Sequence, residues 1–195
     1  MNIEIEAKFL GISIDAMRDR LTSAGAKCEI PMRPMRRVAI KAGWMYEDNG
    51  YLRLRDEGDR ITMTYKRFDG NALDCASEVE ITVNSFEAAL ELIKCLRLPV
   101  KSYQESRRET WTLGSAEIVI DEWPWIRPYI EIEGPSEDTV RAAAEKLGLD
   151  WSDAKFGSVM TAYEAEYPKV AENGRLISDL PEVKFNAPVP DILLG

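Results

Sequence analysis

The sequence predicts an α+β fold, a closed eight-stranded and mainly antiparallel β-barrel with helices packed outside it. Three observations predict it. Eight segments alternate with period two between hairpin signals, three segments carry a helical apolar stripe, and the charged residues of several strands sort by sign.

The opening Ile3-Glu4-Ile5-Glu6-Ala7-Lys8-Phe9 alternates strictly, so a strand here buries its apolar residues and places Glu4, Glu6 and Lys8 together on the other face. Residues 13–25 follow as a helix, with Ser13 as N-cap, Ile14, Met17 and Leu21 at helical spacing, and Gly25 at the end. A second helix spans about residues 85–97 through Phe86, Ala89, Leu90, Ile93 and Leu96, ahead of Pro99. The third starts at Ser136 and turns Val140, Ala143, Ala144 and Leu147 inward before Gly148. Strands are expected at residues 35–44, 51–56, 60–67, 77–84, 104–113, 116–123 and 128–134. Asn49-Gly50, residues 56–59, Asp69-Gly70 and Gly114-Ser115 supply the turns. Closing such a sheet removes its exposed edges.

The chain has 195 residues, 45% hydrophobic and 30% charged, which suits one acidic globular domain. No apolar run approaches the roughly 18 residues of a membrane span. The acidic start, unlike a secretory leader, leads us to expect a cytoplasmic protein. Cys28, Cys75 and Cys95 lack metal or redox spacing and read as structural thiols. There is no histidine, which removes Ser-His-Asp and Cys-His catalysis and leaves oxygen ligands for any metal. Residues 1–100 hold 15 basic and 16 acidic side chains, and residues 101–195 hold 10 and 18. Nine of the basic residues fall between Arg33 and Arg67, a local concentration that suits a small anion rather than a nucleic acid.

The strand faces sharpen this reading. Arg53 and Arg55 alternate with Leu52 and Leu54, Glu78 and Glu80 with Val79 and Ile81, and Glu131 and Glu133 with Ile130 and Ile132. If helices cover the apolar outside, the charges line the inside, and so crowded an interior needs ions to neutralise it. Arg and Lys bind phosphate oxygens, whereas carboxylates hold Mg²⁺ or Mn²⁺, which bridge to the same oxygens. A polyphosphate with divalent cations matches both.

Glu4-Ile5-Glu6-Ala7-Lys8 resembles the ExExK signature of the CYTH superfamily, the triphosphate tunnel metalloenzymes, and LRLR, TYK, EVE, SRRE, IDEW and EIE follow in that family's order. The resemblance covers roughly residues 1–165, which implies a tunnel domain over residues 1–167 and a C-terminal extension over residues 168–195. It implies Glu4, Glu6, Asp121, Glu131 and Glu133 as metal ligands, and Lys8, Arg53, Arg55, Lys66 and Arg108 as triphosphate contacts. Glu78 and Glu80 are further acidic tunnel positions, and Glu4, Glu6, Lys66 and Glu131 are the expected catalytic residues. Alternation favours Arg108 over Arg107, and Asp121 over Glu122, for the inside. The second strand holds no tyrosine, so the Tyr–Lys pair of some family members is not expected beside Lys66.

The resemblance implies a Mg²⁺- or Mn²⁺-dependent hydrolase of inorganic, thiamine or nucleoside triphosphate, with class IV adenylyl cyclase as the alternative. A third reading is a non-catalytic polyphosphate- or nucleotide-binding module. No nucleic-acid or membrane partner is expected, and a homodimer is compatible with the sequence. Trp44 and Tyr46 read as packing residues with base contact as the sharper option, and Trp123-Pro124-Trp125 as core or as a tunnel mouth. Residues 155–163 read as a short helix. Beyond Tyr167, Pro168, Pro181, Pro188 and Pro190 interrupt short apolar pieces that either dangle or dock.

Overall fold

Period-two alternation builds a single sheet with one apolar face and one charged face. The computed structural model describes residues 5–47, 49–68, 76–172 and 177–194. Its strands are β1 (Ile5–Leu10), β2 (Lys27–Ile40), β3 (Gly50–Asp56), β4 (Ile61–Phe68), β5 (Ala76–Thr82), β6 (Val100–Leu113), β7 (Ala116–Glu122), β8 (Tyr129–Gly134) and β9 (Glu182–Val183). They lie in the order β1-β8-β7-β6-β2-β3-β4-β5 with antiparallel neighbours, and β9 adds to β6 in parallel at Tyr103 and Gln104.

Helices cover the apolar face. Helices α1 (Ile14–Ser23) and α4 (Glu137–Lys146) press Met17, Leu21, Val140, Ala143, Ala144 and Leu147 onto Phe9, Ile118, Ile120, Ile130 and Ile132. Between them in sequence, α2 (Gly43–Glu47) is a single short turn, and α3 (Phe86–Cys95) packs Phe86, Ala89 and Ile93 on Val38, Ile40 and Leu54. Each fully buried Leu, Ile or Phe contributes about 1.5–3 kcal/mol. Ser13, Ser85 and Ser136 cap the three long helices, their hydroxyls accepting from the backbone N–H of Ala16, Ala88 and Thr139.

The sheet is not closed by hydrogen bonds among the described residues, so the closed form of the expected barrel is not shown. Among the described residues no ladder joins β1 to β5. The free edge of β1 is instead met by Lys155, whose N–H donates to Lys8 O at 2.9 Å and whose carbonyl accepts from Lys8 N at 2.8 Å. That bridge occupies the outward N–H and C=O of Lys8, and it puts Lys155 outside any helix; α5 begins only at Met160 (Met160–Glu166). On the outside of β5, Val79 and Ile81 are 59% and 57% exposed. The second strand begins eight residues earlier than expected: Pro31 falls in one of the register shifts of the β2–β6 pairing, and Pro34 pairs in register with Arg107. Cys28 and Cys95 are exposed thiols, not core residues, and Cys75 lies outside the described residues.

The end of the chain docks. α5, α6 (Pro168–Glu172), a 3₁₀ turn (Ile177–Asp179), β9 and α7 (Asp191–Leu194) bury Ala162, Tyr163, Val170, Ile177, Val183 and Leu193 against Trp123 and Tyr129. Hydrogen bonds fix the contact: Tyr163 Oη donates to Pro124 O at 2.8 Å, Tyr167 Oη to Trp125 O at 2.6 Å, and Trp125 Nε1 to Ala187 O at 2.8 Å.

Candidate active site

In an antiparallel ladder, residues directly opposite share a face, so the register alone carries one charged surface across eight strands. From β1 to β5 it runs through Glu6 and Lys8, Glu133 and Glu131, then Glu117, Val119 and Asp121, and on to Arg108. It continues through Arg37 on β2, Arg53 and Arg55 on β3, Thr62, Thr64 and Lys66 on β4, and Glu78 and Glu80 on β5. The result is a trough whose acidic wall, β1-β8-β7, faces a cationic wall, β6-β2-β3-β4, edged again by acids on β5.

On the acidic wall, Lys8 is 2% exposed and reaches Glu6 at 2.5 Å and Glu131 at 2.9 Å. Burial, and then the neighbouring Glu131, push the Glu6 carboxyl above its ordinary range. Burial would raise Glu131 too, but Lys8 and Arg108 outweigh it and hold this carboxyl below the ordinary range. Asp121, 1% exposed, accepts Arg108 Nε at 2.7 Å and Nη2 at 2.6 Å in a bidentate pair. Its neighbour Glu122 turns outward to Arg107 at 3.5 Å, so Asp121 and Arg108 are the members of their doublets that face the trough.

The cationic wall is crowded with like charge. Burial, followed by repulsion from Arg53 and Arg108, lowers the Arg37 pKa to about 10, and burial with Arg53 and Arg37 lowers Arg55 to about 9. Among the described residues the Nε atoms of Arg37, Arg53 and Arg55 meet no hydrogen-bond acceptor. Arg53 stands 3.9 Å from Glu80, and Lys66 stands 2.5 Å from Glu78. Arg55 pairs with Glu57, a buried acid of the β3–β4 turn that also takes Arg33 and Arg60 at 3.1 Å each.

Of the expected site residues, the trough brings together Glu6, Lys8, Arg53, Arg55, Lys66, Glu78, Glu80, Arg108, Asp121, Glu131 and Glu133; Glu4 lies outside the described residues. Each Asp121 oxygen accepts one N–H of Arg108, so in this arrangement Asp121 orients Arg108. Sequence reasoning passed over Arg37 and Glu57. Arg37 could have been found, because a doublet such as Arg36-Arg37 in a strand must send one member inward. Trp44 and Tyr46 stay on the surface, 54% and 56% exposed, with Trp44 stacked on Tyr65 and Tyr46 under Lys41. A tyrosine does stand opposite Lys66, but it is Tyr51 of β3 and not a residue of β2.

The donor set suits a hard divalent cation, since every available ligand is a carboxylate oxygen. Glu6, Glu133 and Glu117 stand directly opposite one another across β1, β8 and β7, a row of like charges that a cation would relieve. Among the described residues no three carboxylates converge on one point, because Lys8 draws Glu6 and Glu131 to itself.

No curated protein matches the chain. Solved structures do. A protein from Pyrococcus horikoshii is similar with a TM-score of 0.70 at 21% identity, over 82% of this chain and 99% of that one. A candidate adenylate cyclase from Vibrio parahaemolyticus is similar with a TM-score of 0.70 at 13% identity, over 83% and 97%. A candidate adenylyl cyclase from Hippeastrum, reported to have a dominant triphosphatase activity, gives 0.58 at 12% identity, over 91% and 98%. At these identities the likeness is one of fold. The family model of the CYTH domain matches residues 40–154, more than half of the sequence and most of the strands that build the trough, so the chain belongs to the CYTH domain family.

Proposed function

We propose that the protein is a divalent-metal-dependent triphosphatase whose substrate lies along the trough. The observation that carries this reading is the cationic wall: crowded, half-buried to buried guanidiniums that repel one another, with unsatisfied Nε atoms, opposite a wall of carboxylates. A linear triphosphate satisfies the cations, and one or two Mg²⁺ or Mn²⁺ ions held by Glu4, Glu6, Glu131 and Glu133 satisfy the acids.

Arg53, Arg55 and Arg108 grip non-bridging oxygens, with Lys8 and Lys66 as point charges beside them. When bound, the metal supplies charge neutralisation at the reacting phosphoryl group and orientation of the attacking water. Glu131 stays ionised at neutral pH under the influence of Lys8 and Arg108, and Glu6 shares its lysine. Glu78 holds the Lys66 ammonium toward the trough, where it stabilises charge developing in the transition state. The Hippeastrum relative, with a dominant triphosphatase activity, supports hydrolysis ahead of cyclisation.

The test incubates the protein with tripolyphosphate, thiamine triphosphate and ATP in Mg²⁺ and in Mn²⁺, and quantifies orthophosphate, pyrophosphate and cyclic AMP together. Metal-dependent orthophosphate release supports the proposal. Cyclic AMP with pyrophosphate overturns it in favour of a cyclase, and binding without product in favour of a non-catalytic module.

A further inference from the structure

Arg37 differs from the other cations of the trough. Lys8, Arg53, Arg55, Lys66 and Arg108 each have a carboxylate within 4.0 Å. Among the described residues Arg37 forms no such ion pair. Its contacts are the Ser106 hydroxyl, which accepts from Nη2 at 3.1 Å, and the Trp123 ring, 4.5 Å from the guanidinium carbon. Its Nε–H points at no acceptor. Arg37 is half-buried, with its Nε shut off from solvent, and a guanidinium N–H left in this state lowers stability unless something else completes it.

Its position says what that is. On β2 Arg37 lies opposite Arg55 on one side and Gln104 on the other, in the middle of the cationic wall. Beyond Asp121 the same end of the trough is filled by Trp123 and Tyr129, 3% and 2% exposed, beneath Tyr163, Val170, Ile177 and Val183. An anion reaching Arg37 has therefore come to an aromatic stop, Trp123 and Tyr129, backed by the C-terminal segment.

We propose that Arg37 is a substrate-binding residue at the blind end of the trough, where it takes the terminal phosphate of an unbranched polyphosphate. The inference rests on the trough being a triphosphate site, and it adds that the chain enters from one end and stops at Arg37. A polyphosphate longer than three units then binds by its ends and does not thread through.

The experiment is calorimetric titration of the full chain with tripolyphosphate in EDTA, for the wild type, Arg37→Gln and Arg37→Lys, beside thermal midpoints of the unliganded proteins. A lost charge-assisted contact weakens binding roughly 10- to 100-fold in R37Q, with partial recovery in R37K. The unliganded midpoint of R37Q should equal or exceed that of the wild type, because an unpaired buried charge has been removed. A polyphosphate of several tens of units should take up no more than two protein molecules per chain. Unchanged affinity in R37Q beside a wild type that binds overturns the assignment of Arg37 alone. Several proteins per long chain overturn the blind end. A wild type that binds no tripolyphosphate, in EDTA or in Mg²⁺, overturns the triphosphate reading and this inference with it.

Discussion

Replacing Asp121 with Asn leaves the Arg108 guanidinium in place and removes the charge that compensates it. The two side chains are 1% and 19% exposed and joined by two hydrogen bonds of 2.7 and 2.6 Å, so solvent screens the pair little. Breaking a buried pair from one side costs about 3–5 kcal/mol. For a chain of 195 residues, at roughly 2–4 °C per kcal/mol, the thermal midpoint falls by about 6–20 °C. Removing both charges costs less than the sum of the single changes, so D121N/R108Q melts well above the additive expectation. Tripolyphosphate should return part of the loss in D121N, since its oxygens replace the carboxylate on Arg108; at 100 times the dissociation constant the gain is about 2.7 kcal/mol. Differential scanning calorimetry of the four proteins, with and without ligand, reads all of this. An unshifted midpoint in D121N, or strict additivity in the double variant, refutes the argument that the pair is buried and coupled.

Glu57→Gln leaves Arg33, Arg55 and Arg60 without their shared acid, and denaturant unfolding should show a loss of about 3 kcal/mol or more; a loss below 1 kcal/mol contradicts the shared role. Glu109 is 3% exposed, and although burial would raise its carboxyl, the hydrogen bonds from Arg18 and then Trp111 hold it below the ordinary range. Its folded pKa is thus the lower one, so the unfolded state takes up its proton first; the stabilisation is present above the ordinary carboxylate pKa and lost as pH falls through the folded one. Thermal midpoints from pH 6 to pH 2 should therefore drop less steeply in E109Q than in the wild type, and parallel curves would argue against the shift. Removing residues 177–194 strips Ile177, Val183 and Leu193 from Tyr163 and Trp123, which should lower the midpoint and raise binding of a hydrophobic dye; an unchanged midpoint contradicts docking.

The trough was legible in the sequence because period-two alternation and cross-strand register are the same information. Once Glu6, Glu131, Arg53, Lys66 and Glu80 alternate with apolar residues, a sheet with helices on its apolar side must gather them on the other. The three long helices were legible through their serine caps and apolar stripes. The bridge from Lys155 to the β1 edge was not, since Lys155 comes from far along the chain. The start of β2 was hidden because proline reads as a breaker, whereas a register shift accommodates Pro31 and the ladder takes Pro34 opposite Arg107. Glu57 escaped notice because its burial and its three arginine partners, Arg33, Arg55 and Arg60, come together only in the fold.

The most direct test is a phosphorus-31 NMR time course of tripolyphosphate with the wild type and with Glu131→Gln, in Mg²⁺ and in EDTA, at matched folded fractions. The account predicts orthophosphate and pyrophosphate resonances growing only for the wild type with metal, while E131Q stays folded and turns over at least 100-fold more slowly. Equal turnover in E131Q, or turnover that persists in EDTA, would contradict it.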